Sequence, residues 1–154
     1  MKQILLFLFC LSITSYSCSS AKKTRLSTIK QGITGFVTES MGNQMPMKGA
    51  PPIVLKGVLT NVLVYEPTNI TEVTRIGTSP IYTAIHTKLV ASVQTDSTGA
   101  FTLALPVGSY SLFVQQGKSF YANLFDTVNN IALFTVEEDK LTTVKLTVSS
   151  KATY

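Results

Sequence analysis

The chain has 154 residues, 45% of them apolar, with two cysteines, one histidine, no tryptophan and a formal net charge of +5. That length suits one domain with its own core and is too short for two such domains plus a linker. Two cysteines give no disulfide framework once one of them lies in a cleaved leader, and positive charge gathered at one end is not the aromatic-interleaved basic face of a nucleic-acid binder.

Met1 to Ser17 place Lys2 ahead of an apolar run, Ile4 to Leu11, and then a short polar stretch. This is the three-part layout of a signal peptide. The run is far shorter than the roughly 20 residues of a spanning helix, and no later stretch reaches that length, so no transmembrane segment is expected. Cys10 leaves with the leader. Cys18 follows Ser15-Tyr16-Ser17, and this resembles a bacterial lipoprotein cleavage site, whose cysteine becomes the acylated N-terminus. Ser15 stands where such sites carry Leu or another aliphatic residue. The alternative is cleavage by an ordinary signal peptidase, which accepts small residues at Ser15 and Ser17 and releases a soluble periplasmic or secreted protein. On the first reading Cys18 is the lipidation site and the protein is anchored in the bacterial cell envelope. Several acyl chains hold it there at about 0.8 kcal/mol per buried methylene.

Residues 18–30, with Lys22, Lys23, Arg25 and Lys30 among serines and threonines, read as a solvated or headgroup-facing tether. From Gln31 to about residue 150 the pattern is short strands separated by Gly, Pro, Asn and Asp. Ile33 to Thr38 is the first strand candidate. Glu39 to Pro52, with Met41, Met45, Met47 and three prolines, is expected as a loop packed on the end of the fold. Val58 to Tyr65 is apolar on both faces except at Thr60 and Asn61, which predicts a central strand covered from two sides and stopped at Glu66-Pro67. Pro67 to Pro80 is polar and is expected to run between sheets. Ile81 to Thr95 predicts a bent strand.

Ala100 to Leu105 puts Phe101, Leu103 and Leu105 on one face. After Pro106-Val107-Gly108, Tyr110, Leu112 and Val114 alternate with Ser109, Ser111 and Phe113, which predicts a hairpin with Phe113 breaking a polar face. Asn130 to Val136 and Thr142 to Ser149 complete the set, the latter with Val144, Leu146 and Val148 inward and following a solvated acidic turn, Glu137-Glu138-Asp139. About seven strands without helical periodicity predict an all-β, antiparallel sandwich.

Three stretches resemble the carboxypeptidase regulatory-like domain family: Gly32-Ile33-Thr34-Gly35-Phe36-Val37-Thr38, Thr95-Asp96-Ser97-Thr98-Gly99-Ala100-Phe101-Thr102-Leu103 and Leu105-Pro106-Val107-Gly108-Ser109-Tyr110-Ser111-Leu112. Gly42-Asn43-Gln44-Met45-Pro46 and Ala122-Asn123-Leu124-Phe125-Asp126 look like the version found in small envelope proteins. The resemblance spans about Gln31 to Thr147 and implies a transthyretin-like or immunoglobulin-like Greek-key sandwich; it implies no activity. The residues also explain themselves physically. Asp96 can accept backbone hydrogen bonds in a turn where Gly99 takes positive φ, Phe101 plugs a core, and Tyr110 buries its ring with its hydroxyl at the edge. As a calcium site Asp96 alone falls short of the six to eight oxygens needed.

The chemistry of catalysis is thin. His86 is the one histidine, expected half-buried in a strand, which leaves no metal cluster and no base for a serine nucleophile, and there is no Gly-x-Ser-x-Gly elbow. Glu66 and Glu72 flank a proline-led loop and nothing fixes their separation as a glycosidase pair. The hydroxyisourate hydrolases of the transthyretin-like fold end in Tyr-Arg-Gly-Ser, whereas this chain ends Lys151-Ala152-Thr153-Tyr154. Asn69-Ile70-Thr71 is a glycosylation sequon with no expected role. The expectation is a non-enzymatic envelope module without cofactor or metal. It touches the membrane through its N-terminal lipid only and presents its loops to an envelope protein or a glycan. The alternatives are an enzyme of unrecognised type, which predicts a pocket gathering His86 with two or more polar partners, and a carbohydrate-binding module, which would usually show exposed aromatics on a flat or grooved face.

Overall fold

The computed structural model describes residues 29–43 and 55–153. The expected signal peptide, Cys18, almost all of the expected tether, and Met45 and Met47 lie outside the described residues. The fold is all-β apart from one 3-10 turn, Ile70–Glu72. Its strands are β1 (Gly32–Asn43), β2 (Lys56–Gly57), β3 (Asn61–Tyr65), β4 (Val73–Arg75), β5 (Ile81–Ile85), β6 (Leu89–Gln94), β7 (Ala100–Ala104), β8 (Gly108–Gln116), β9 (Ser119–Tyr121), β10 (Leu133–Val136) and β11 (Leu141–Thr153). The count exceeds about seven because pieces such as β2, β4 and β9 are too short for alternation to show.

Two sheets face each other. The first has the order β11-β1-β2, with β7 also on β1; the second has the order β4-β5-β9-β8-β3-β6, with β10 also on β8. The ladders are antiparallel except β1 with β11, which is parallel, Gly32 opposite Leu141 through Glu39 opposite Val148. Period-two alternation fixes which side chains turn inward but not strand direction, so this pair is invisible in the pattern. Between the sheets Ile33, Val37, Phe101, Leu105, Val144, Leu146 and Val148 meet Val62, Val64, Tyr110, Leu112, Val114, Tyr121 and Val136.

The hairpin expected at Pro106-Val107-Gly108 is an arch instead. β7 pairs with β1 in the first sheet, and β8 pairs with β3, β9 and β10 in the second. Both strands keep their inward faces, so the alternation is the one a hairpin would show. The chain crosses the sandwich at a proline with no N–H to pair, and the Tyr110 hydroxyl donates back to the Pro106 carbonyl at 3.1 Å.

The face of β8 carrying Ser111 and Phe113 is covered, not polar. Phe113 is the centre of a second core with Tyr65, Tyr82, Ala122, Ile131 and Ala132. Its ring meets Tyr65 and Tyr82 edge-on, at 5.6 and 5.5 Å between centroids, a favoured aromatic geometry. Burial raises the pKa of both tyrosines, with nearby Arg75 opposing the rise at Tyr82, and the Tyr82 hydroxyl donates to the Ala122 carbonyl at 3.2 Å. β3 is central as expected, with Val62 and Val64 in the first core and Tyr65 in the second.

The bend expected in Ile81 to Thr95 separates β5 from β6 by residues 86–88 only, although β9, β8 and β3 stand between them in the sheet. A flat sheet would set them about 19 Å apart at roughly 4.8 Å per strand. The four peptide steps reach at most about 14 Å. The second sheet therefore curls, and the curl wraps the second core.

Two loops differ from expectation. β1 continues through Asn43, so Glu39 to Asn43 is strand; it pairs along β11 across a bulge, which carries no composition signal. Pro67 to Pro80 does not run between sheets. It stays on the second one, as the 3-10 turn and the edge strand β4, because Asn69 and Glu72 form a capping box that starts a turn rather than a crossover.

Candidate functional site

β9 and β10 lie on the same edge of β8. Val114 faces Tyr121 and Ser111 faces Leu133, while β3 takes the opposite edge. Residues 119–136 are thus one partner strand interrupted by an excursion over residues 122–132. The ladder is kept across the gap, where the Leu112 N–H donates to the Ala132 carbonyl at 3.1 Å, and the base is closed by the Ala132 N–H donating to the Leu124 carbonyl at 2.9 Å.

The excursion is built from within. The Asp126 Oδ1 accepts from the N–H groups of Val128 (2.9 Å) and Asn130 (2.8 Å), and Oδ2 accepts from the Asn130 amide at 2.8 Å. Asn129 sits at φ 66, which asparagine tolerates. Desolvation works against the Asp126 charge, but the backbone and side chain of Asn130 and the Val128 N–H outweigh it and hold the carboxyl below its usual value.

It is also tied to its surroundings. Ile131 is buried in the second core and its N–H donates to the Thr68 carbonyl at 2.8 Å. The Asn69 amide donates to the Val128 carbonyl at 2.9 Å, and the Ile70 N–H to the Asn129 carbonyl at 3.0 Å. So fixed, the loop turns outward Leu124, Phe125 (46% exposed) and Val128 (63% exposed), with Asn123, Thr127 and Asn129 exposed around them. Apolar groups held in water by a built loop, inside a polar rim, have the composition of a contact surface.

Below the loop a crevice opens between Leu112, Val114, Tyr121, Leu124, Ala132 and Leu146. Its free space of about 10 Å³ admits about one water, so it is a packing seam rather than a ligand pocket.

The other sequence candidates are placed as follows. Cys18 is outside the described residues. His86 is not half-buried in a strand; it is exposed just past the end of β5, its Nε2 3.1 Å from the Thr74 hydroxyl. Residue 86 lies where the chain swings from β5 to β6, and alternation read through it as if the strand continued. Glu72 accepts from the Asn69 N–H at 2.9 Å, which uses its carboxylate as a cap. The Asn69 amide nitrogen of the sequon is occupied by Val128 and Asn130.

Asp96 takes the expected form: Oδ1 accepts from the N–H and hydroxyl of Thr98 (2.8 and 2.6 Å) and the N–H of Ala100 (3.0 Å), with Gly99 at φ 83. The Thr98 hydroxyl, then the Ala100 N–H, pull its pKa down. The loop at 122–132 escaped the sequence reading, although Asp126 to Asn130 repeats the spacing of Asp96 to Ala100: aspartate, then a positive-φ residue three places on. Among the described residues no three His, Cys, Asp or Glu side chains gather as a metal-holding group.

No family model matches the chain, no curated protein is similar to it at a significant level, and no solved structure matches it.

Proposed function

We propose that the chain is a non-catalytic envelope module, anchored by a lipid on Cys18, that binds a partner through the loop at 122–132. The observation that carries this reading is that loop: a strand is broken to build it, and its internal bonds hold Leu124, Phe125 and Val128 in solvent. The leader-like first seventeen residues and the sequence around Cys18 support export and anchoring. The Asp96 turn, with Gly99 at positive φ, supports kinship with the carboxypeptidase regulatory-like domains.

The test is site-specific photocrosslinking in the native cell. A crosslinker at Phe125 is expected to capture one defined species, and one at Lys145, on the opposite sheet, is not. Capture that persists unchanged when Leu124 and Val128 are both replaced by serine contradicts the reading.

A further inference from the structure

We propose that the groove at the end of the sandwich remote from the chain entry at Gln31 is a binding site for a neutral glycan. This goes beyond the loop-docking reading and does not depend on it. The groove has a volume of about 440 Å³ and is walled by Glu39 of β1, by Val58, Leu59 and Thr60 between β2 and β3, and by the β8–β9 turn at Gln115 to Gly117. That volume lies within the range of about 300–1,000 Å³ typical of small-molecule sites.

Its walls are fixed. The buried Thr95 hydroxyl accepts from the Thr60 N–H at 2.8 Å and donates to the Val58 carbonyl at 2.6 Å, and the Thr95 N–H donates to the Thr60 carbonyl at 2.8 Å. With residues 58 and 60 drawn inward, Leu59 is left at the apex, 62% exposed. The Thr60 hydroxyl donates to the Gln115 carbonyl at 2.7 Å, which joins the two walls.

The polar edge is also set. The Gln115 Oε1 accepts from the Asn61 amide at 2.9 Å, and its Nε2 donates to the Gly117 carbonyl at 3.3 Å. A carboxamide oxygen accepts twice and its nitrogen donates twice. By that count one acceptor site and one donor site of the carboxamide remain, a pair that sugar hydroxyls satisfy. Leu59 adds an apolar surface for the C–H face of a sugar ring. Among the described residues no cation lines the groove, which favours a neutral ligand over an anionic one. No aromatic ring among the described residues lines it either, so the affinity expected without stacking is in the millimolar range.

The groove is positioned to be reached. β1 runs away from Gln31 toward Glu39, and β8 runs away from Gly108, which pairs with Val136 at the entry end, toward Gln116. A domain tethered through its N-terminus holds this end outward.

The experiment is an NMR titration of the full mature protein in detergent, following the side-chain amide signals of Gln115 and Gln116. The probes are maltotriose, cellotriose, mannotriose and triacetylchitotriose, with tetra-alanine and inorganic phosphate as controls. At least one saccharide is expected to move these signals saturably. Leu59→Ser and Gln115→Ala are each expected to weaken that saccharide by about tenfold, the loss of one contact, with melting unchanged for Leu59→Ser. The proposal is overturned if no saccharide moves the signals, if tetra-alanine or phosphate moves them instead, or if the shifts survive both substitutions. Photocrosslinking at Phe125 reads a different surface, so either result stands without the other.

Discussion

Asp96 shows how one side chain can replace several turn residues: its Oδ1 closes three bonds to Thr98 and Ala100 while Gly99 supplies the positive φ. The folded state lowers the Asp96 pKa, chiefly through the Thr98 hydroxyl. A carboxyl with a depressed folded value stabilises above its unfolded value of about 4 and loses that contribution as the pH falls through the folded value. Asp126, whose hydrogen bonds outweigh its desolvation, has the same sign. Thermal melting is therefore expected to be flat from pH 7 to 5 and to fall below about pH 4, with Asp96→Asn flattening part of that fall; an unaltered acid limb in the variant counts against the turn. Gly99 has a second constraint, because a Cβ there lies 2.1 Å from the Val37 carbonyl oxygen. Gly99→Ala should cost at least about 1–2 kcal/mol, read from denaturant midpoints. Phe101, 6% exposed, should cost about 3–5 kcal/mol on truncation to alanine, and a negligible change in melting would remove it from the core.

At the scale of elements, what was legible in the sequence was facing, and what was hidden was partnership. Phe101-Leu103-Leu105, Tyr110-Leu112-Val114 and Val144-Leu146-Val148 all turn their apolar sides as alternation demands. The same alternation fits a hairpin or an arch, so the crossing at Pro106 could not be read, nor could the parallel pairing of β1 with β11. The second core was hidden for another reason. Its residues come singly from distant segments, Tyr65, Tyr82, Phe113 and Ile131, and only the curl of the second sheet brings them together. Ser111 belongs to that region: fully buried, it accepts from the Thr68 N–H at 2.9 Å through its hydroxyl. Ser111→Ala should strand that N–H and cost about 1–3 kcal/mol. Because Thr68 also holds Ile131, amide exchange in residues 126–131 should quicken in the variant, and unchanged protection there would separate the loop from its support.

At the scale of the whole molecule, three of the eight acidic residues, Glu137, Glu138 and Asp139, stand in the turn that the chain entry contacts. The entry itself is pinned by Gln31, whose amide donates to the Leu105 carbonyl at 2.9 Å and whose oxygen accepts from the Asp139 N–H at 3.1 Å. The sequence between Cys18 and this clip is basic, so a domain anchored at Cys18, as proposed, would carry positive charge where anionic headgroups are met. The candidate loop was the least legible part of the chain, since Leu124, Phe125 and Val128 fall outside every strand the alternation predicts and nothing in the pattern shows the excursion from the β8 edge. The proposed anchor would set which way the loop and the groove face, and it is the part of the account that a single experiment reaches most directly. The direct measurement is mass spectrometry of the mature N-terminus together with membrane fractionation of wild type and Cys18→Ala. An acylated Cys18 and movement of the variant to the soluble fraction are the predicted results; an unmodified N-terminus, or a variant that stays with the membrane, contradicts the account.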